Sequence, residues 1–166
     1  MPYNKHRRII FSMYEMKENK KAFESQQKIY KGLRRLLKTK QLSEITVSDI
    51  KKECNISRST FYRNFKNITE ILEVIFEYFY KEYLTKKSVE QKDNELLFFF
   101  EYWFWHRDLV QIISSQNRGI IEDCMKRHTK SLNTNPYLIE IKITLMASIL
   151  SKWAELKDKT PKELEV

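Results

Sequence analysis

The apolar positions fall at helical spacing along most of the chain. Ile29, Leu33, Leu36 and Leu37 stand at i, i+4, i+7 and i+8 and predict a helix over residues 25–38, with Lys28, Lys31, Arg34, Arg35 and Lys38 on its other sides. Ahead of it, residues 1–22 are basic and loosely amphipathic, with Ile10, Met13, Tyr14 and Lys17 at helical spacing, and read as an arm or an extra helix. After a link over 39–45, Thr46-Val47-Ser48-Asp49 reads as a capping box with Asp in place of Glu, opening a short helix that turns Val47 and Ile50 inward and ends near Cys54. Asn55 tolerates the left-handed backbone that a tight turn needs, and Ile56 plugs that turn. Ser57 then caps a second short helix over 58–65, with Phe61 and Phe65 four apart on one face.

Further on, Ile71, Leu72, Ile75, Phe76, Phe79 and Tyr80 predict a helix over 69–83, followed by a polar hinge loop over 86–93 whose Asp93 caps the next helix. That helix carries Phe98, Phe99, Phe100, Tyr102, Trp103, Phe104 and Trp105, which leave it no polar face and predict burial nearly all round. Gly119 marks a loop or bend. Ile120, Ile121, Cys124 and Met125 form a helix ending near Leu132. Asn135-Pro136 starts the last long helix, over 137–157, with Pro at its first position. This helix has two apolar stripes. Leu138, Ile141, Leu145, Ile149, Trp153 and Leu156 form one; Ile139, Ile143, Met146, Leu150 and Ala154 form the other. Two apolar sides must be covered twice, once by the helix's own bundle and once by a partner subunit. Thr160-Pro161-Lys162-Glu163 reads as one more helix start.

Composition narrows the class. The chain has 166 residues, enough for a real core, and only two glycines and three prolines. Phosphate-cradling loops need several glycines close together, and tight hairpins need turn residues, so both are disfavoured and the fold class reads as all-α. The two cysteines form no framework and suit a reducing, cytoplasmic compartment. No secretion signal is visible, and the longest apolar run, residues 96–100, is far from the roughly 20 residues that span a bilayer.

Charge divides the chain. Residues 1–66 hold 17 Lys+Arg against 6 Asp+Glu, net +11, while residues 67–166 hold 14 against 16, net −2. This asymmetry points to a polyanion-binding N-terminal part and a different role for the rest. The second short helix concentrates Arg58, Ser59, Thr60, Tyr62 and Arg63 opposite its apolar face. Two short helices, a tight turn and a polar-basic second helix make a helix-turn-helix. Its residue types suit the major groove: Arg forks onto guanine, Thr touches the thymine methyl, and Tyr and Ser bond phosphates.

Ile45-Thr46-Val47-Ser48-Asp49-Ile50 and Ile56-Ser57-Arg58-Ser59-Thr60-Phe61-Tyr62-Arg63-Asn64-Phe65, followed by Lys66 and a long helix, resemble the DNA-binding domain of TetR/AcrR-type transcriptional regulators over about residues 25–76. The resemblance implies an arm or extra helix at 1–22, a helix-turn-helix domain at 23–68, and a C-terminal helical bundle at 69–166 that dimerises and binds a small effector. It implies that Thr46 and Tyr62 hold phosphates, that Arg58, Ser59, Thr60 and Arg63 approach base edges, and that Asn64 and Lys66 meet the backbone. Ser25, at the start of the first helix, joins this DNA-contacting set. Asn55 stands where the family usually has Gly, and Ile68 where it usually has Lys, so one phosphate contact is missing.

The aromatic helix offers a ligand site walled by Phe99, Tyr102, Trp103, Phe104 and Trp105, with Glu101 or Asp108 as a charge for a cationic ligand. The dimer face is expected on Leu138, Ile141, Leu145, Ile149 and Trp153. The expected protein is a homodimeric repressor on a near-palindromic double-stranded operator, released or modulated by a small-molecule effector, with no cofactor, no metal and no membrane. Cys124 and His128 are i, i+4 neighbours without further ligands at metal spacing, and no nucleophile pairing marks an enzyme. A TetR-like coactivator or adaptor, acting through a protein partner without reading sequence, is the alternative. A peripheral protein with a basic arm on anionic membrane is a further one.

Overall fold

The computed structural model describes residues 20–90, 94–129 and 135–156, and all regular structure among them is helical. The helices are α1 (Lys20–Leu36), α2 (Val47–Cys54), α3 (Arg58–Asn64), α4 (Ile68–Glu90), α5 (Glu95–Phe104), α6 (Arg107–Asn117), α7 (Gly119–Thr129) and α8 (Pro136–Glu155), with one 3-10 turn at Leu42–Glu44. The chain divides into two compact units, Met1–Ile71 and Leu72–Val166, so the division falls inside the first turn of α4. Residues 1–19, expected as an arm or extra helix, and the helix start at 160–163 lie outside the described residues.

In the first unit α1 packs on α2 and α3, and α2 on α3. Ile29, Leu33, Ile50, Phe61 and Phe65 fill the space between them. The contact of α1 with α2 is close enough to need a glycine. A Cβ on Gly32 would stand 2.1 Å from Cys54 Sγ, well inside van der Waals contact. The Cys54 thiol donates to the Lys28 carbonyl at 3.4 Å, and burial pushes its pKa up.

In the second unit α5 packs on α6, α6 on α7, and α6 and α7 on α8. An aromatic cluster joins α4 to α5. Trp103 stacks on Phe76 at 4.7 Å between ring centroids, and Tyr83 meets Phe99 at 5.4 Å.

Several boundaries differ from expectation for local reasons. The hinge expected at 86–93 is helix as far as Glu90, where Lys86–Glu82 (2.8 Å) and the Thr85 hydroxyl on the Lys81 carbonyl support turns whose apolar residue, Val89, is exposed. Asp93 lies outside the described residues; Asn94 caps α5, its side chain accepting from the Leu97 N–H at 2.9 Å. The helix α6 was not anticipated, although Leu109, Val110 and Ile113 write its buried face. Gly119 opens α7 directly after Arg118 rather than forming a loop. Asn135 caps α8 with Pro136 at its first position, as the sequence predicts.

Candidate nucleic-acid interface

The first helix of the motif begins with a reciprocal cap. The Asp49 N–H donates to Thr46 Oγ1 at 3.2 Å, and the Thr46 N–H donates to Asp49 Oδ2 at 2.8 Å. The Thr46 hydroxyl also donates to Asp49 Oδ2 (2.7 Å), and Lys40 Nζ reaches Asp49 Oδ1 (2.9 Å). These bonds, Thr46 first and Lys40 second, hold the Asp49 carboxyl far below the usual carboxylate range. The phosphate role expected of Thr46 stands as a proposal that asks its hydroxyl to leave Asp49. Its one hydroxyl proton is committed to Asp49, and a carboxylate stands at the same helix start.

The turn is made by Asn55, at φ 47° and ψ 60°, the left-handed conformation that its short polar side chain tolerates. The Ile56 N–H closes the turn on the Lys51 carbonyl at 3.2 Å. Ser57 then caps α3, accepting from the Thr60 N–H at 3.0 Å, and its hydroxyl lies 2.8 Å from those of both Ser59 and Thr60.

Phe61 and Phe65 are fully buried and fix the inner face of α3. Its outer face presents Arg58, Ser59, Tyr62 and Arg63 to solvent. The Arg58 guanidinium lies 5.4 Å from the Tyr62 ring centroid, a cation–π contact that restrains a long side chain before any ligand arrives. Thr60 is half-buried, and Asn64 donates Nδ2 to the Thr60 carbonyl at 2.7 Å, so both face their own helix more than the groove. Ser25 sits inside α1, five residues past its first residue, and is half-buried; it is not the helix start that the pattern placed there.

The start of α4 carries a box missed in the sequence. Asn67 Oδ1 accepts from the Glu70 N–H at 2.8 Å, and Glu70 accepts from the Lys66 N–H. The Lys66 ammonium is free to move, 3.9 Å from Glu70 and 88% exposed. Asn67-x-x-Glu70 is the sequence signal that marks this cap. Lys40, on the link before α2, is a further cation beside this motif, held by Asp49 at 2.9 Å.

In the second unit the expected ligand wall is divided. Phe99, Tyr102 and Trp103 are buried against neighbouring rings, and the Tyr102 hydroxyl donates to the Phe79 carbonyl at 2.8 Å. Phe104 is half-buried. Trp105 is corrected: it lies past the end of α5 and is 61% exposed, so it walls no interior. On α8 the inner stripe holds, with Ile143, Leu150 and Ala154 buried. In the outer stripe Leu138, Ile141, Leu145 and Ile149 are exposed, but Trp153 is buried under Arg107 and is removed from the expected dimer face. Among the described residues no helix is long and apolar enough to cross a membrane.

The motif so built is a helix-turn-helix with an anchored core and an exposed polar-basic second helix. Residues 29–75 match the family described as bacterial regulatory proteins, tetR family. Over 94 residues the chain is 36% identical to the HTH-type dhaKLM operon transcriptional activator DhaS of Lactococcus lactis subsp. lactis (strain IL1403). That stretch is 57% of this chain and 44% of that protein, so the match spans less than half of the relative's length. No solved structure matches the chain. The helix-turn-helix segment, residues 29–75, is thus a match to the DNA-binding domain of the tetR family.

Proposed function

We propose that this protein is a sequence-specific, double-stranded-DNA-binding transcriptional regulator that works as a homodimer in the cytoplasm. The observation that carries this reading is the outer face of α3, where Arg58, already ordered over Tyr62, stands beside Ser59 and Arg63 on a helix pinned by Phe61 and Phe65. A twofold dimer places two such helices in successive major grooves, so the operator is a near-palindrome with half-sites about one helical turn apart. A small effector in the second unit acts by preferring one arrangement of the dimer, a coupling of typically about 1–3 kcal/mol. No catalytic step and no cofactor enter. The sign of regulation follows from where the operator lies. Repression, expected from the family resemblance, is weighed here against a similar protein that is named an activator.

The test is selection from a randomised duplex pool by the purified protein at about 0.15 M salt, where non-specific binding is weak. Enrichment of one near-palindrome supports the reading; no enrichment by folded, dimeric protein rejects it.

A second reading has its own observation. Asp49 stands at the start of α2 and Glu70 at the start of α4, and Ile68 replaces a lysine, so two positions that favour phosphate carry carboxylates or no charge. This favours an adaptor or coactivator that acts through a protein partner, with only weak, salt-labile, sequence-blind DNA binding.

A further inference from the structure

We propose that the outer side of α1 is a second nucleic-acid face, a row of lysines that holds the phosphate backbone of a further DNA duplex without regard to sequence. The inference goes beyond the operator-reading role of α3 and does not depend on it.

Lys28, Lys31 and Arg35 stand on one side of α1, and Lys38 follows in the turn that closes it; all four are exposed. Arg34 lies beside them, its guanidinium 5.9 Å from the Tyr30 ring centroid. A surface helix ordinarily sets an acid four residues from a base, as α4 does with Lys81–Glu77 at 3.2 Å and Lys86–Glu82 at 2.8 Å. On α1 the only acid is Glu24, ahead of the row. Within the row the neighbours three and four residues apart carry like charge: Lys28 with Lys31, Lys31 with Arg35, Arg35 with Lys38. Such pairs destabilise a helix. Arg35 is relieved by Glu53 of α2, but among the described residues no carboxylate pairs with Lys28, Lys31 or Lys38. The row asks for an anion from outside the chain.

That anion is not the duplex that α3 faces. α1 turns Ile29 and Leu33 toward α2 and α3, and Lys31 lies on the opposite side of the same helix. α3 turns Phe61 and Phe65 inward, so Arg58 and Tyr62 look out from the other side of the unit. Two packed helices, together about 20 Å thick, separate the row from a duplex on α3. A straight duplex cannot touch both.

The chemistry favours a nucleic-acid backbone over an acidic protein. The centre of a protein interface is apolar and poor in lysine, and among the described residues of α1 no large apolar side chain is exposed. A phosphate backbone needs charge alone. From Lys28 to Lys38 the row runs about 15 Å, the axial length over which one strand presents about four phosphates. Lysine is a compact charge on a flexible stem, which follows a strand without fixing what its bases are.

The test is capture of one duplex by another. A random-sequence duplex on beads is loaded with the full chain, washed, and offered a fluorescent random-sequence duplex at about 0.1 M salt, where backbone contacts still hold. The wild type is expected to retain the second duplex. Lys28→Gln, Lys31→Gln and Lys38→Gln together are expected to cut that retention by about tenfold or more, with the melting temperature kept, since the positions are exposed and Gln suits a helix. Arg at the same three positions is expected to preserve it. In a separate arm, Arg58→Ala with Arg63→Ala strips α3 of its arginines; anisotropy is expected to find duplex binding that the three Gln replacements then remove. This arm reads the row without α3, so a failed operator selection strikes the regulator reading and leaves the row standing. No second duplex held by the wild type overturns the proposal. Retention that survives the Gln replacements places the contact on residues 1–19 or on a second copy's α3, and overturns it too. Tighter binding of a polyglutamate peptide than of duplex would make the row a face for an acidic protein, and is the third outcome that rejects it.

Discussion

Arg107 donates from Nη2 to the backbone carbonyl of Trp153 at 2.9 Å, and its guanidinium lies 4.7 Å from the centroid of the same residue's indole ring. A second bond runs from Arg107 Nε to the Ala154 carbonyl at 3.4 Å. One side chain at the start of α6 thus serves two of the last carbonyls of α8, adding to the Leu156 N–H that already closes on Trp153 at 3.0 Å. Its charge also complements the negative end of that helix. The same contact draws Trp153 inward, where it meets Phe100 at 5.5 Å. Arg107→Met is expected to destabilise the protein by about 2–3 kcal/mol, the range for charged hydrogen bonds with a cation–π contact added. Urea unfolding followed by tryptophan emission checks this. A loss under about 0.5 kcal/mol would mean that water serves those carbonyls equally well.

Gly32 and Cys54 set the closest approach of α1 and α2. Gly32→Ala places a methyl 2.1 Å from the Cys54 sulfur, and overpacking of this kind costs about 1–3 kcal/mol. Cys54→Ala removes the atom that is struck. The double variant is therefore expected to recover most of what Gly32→Ala loses, and the coupling in a double-mutant cycle should be positive and large. Additive losses in thermal unfolding would mean that the helices are separated by something other than this sulfur.

The helix-turn-helix was legible because each of its parts is local. Thr46, Asn55 and Ser57 act within three or four residues of themselves, and Phe61 with Phe65 is a single helical turn. The end of α4 and the whole of α6 were less legible, since their turns rest on ion pairs or on a short apolar face of three residues. Trp153 and Trp105 show the limit most clearly. Periodicity placed Trp153 on the outer stripe and Trp105 inside, but Arg107, 46 residues away, buries the first, and the end of α5 releases the second.

In the proposed function Arg58 of α3 reads a base. Arg58→Ala is expected to weaken binding to a selected operator by about 1–3 kcal/mol and to relax preference at one base pair per half-site. Tyr62→Leu removes the ring beneath Arg58 without touching its charge, and should reproduce part of that loss. Gel-shift titrations on the operator and on scrambled duplex separate the outcomes. Equal weakening on both would reduce Arg58 to a phosphate contact.

His106 makes the second unit acid-sensitive. Its pKa falls from 6.5 to about 4 on folding, through burial and then Lys86. Between those values the unfolded chain binds a proton that the folded chain does not, so stability is full above pH 6.5 and declines as pH falls toward 4. The loss is on the order of 3 kcal/mol at about 1.4 kcal/mol per pKa unit. His106→Phe keeps the stack on Phe79 and loses no capping bond, because the His106 side chain makes none at the start of α6. Thermal melts at pH 7.5 and pH 5 should differ more for the wild type than for this variant. Equal shifts would place the acid sensitivity on carboxylates.

The outer stripe of α8 bears on assembly. Leu138, Ile141 and Leu145 are 59%, 63% and 57% exposed, and they recur every three or four residues along one side of a helix whose other side is core. Such a row seeks cover, and a second copy of the same helix offers an identical row, self-complementary about a twofold axis. Leu145→Lys places a charge in the middle of that row. It is expected to leave the fold intact, because the side chain already faces water, while converting the proposed dimer to monomer in analytical ultracentrifugation; a wild type that sediments as monomer would reject the dimer itself. Operator affinity should fall with it, since two linked heads bind far more tightly than one. Trp153→Ala distinguishes this interface from general damage, because Trp153 is interior: it should lower stability and leave association unchanged in the protein that remains folded. A Leu145→Lys protein that stays dimeric would move the interface off α8.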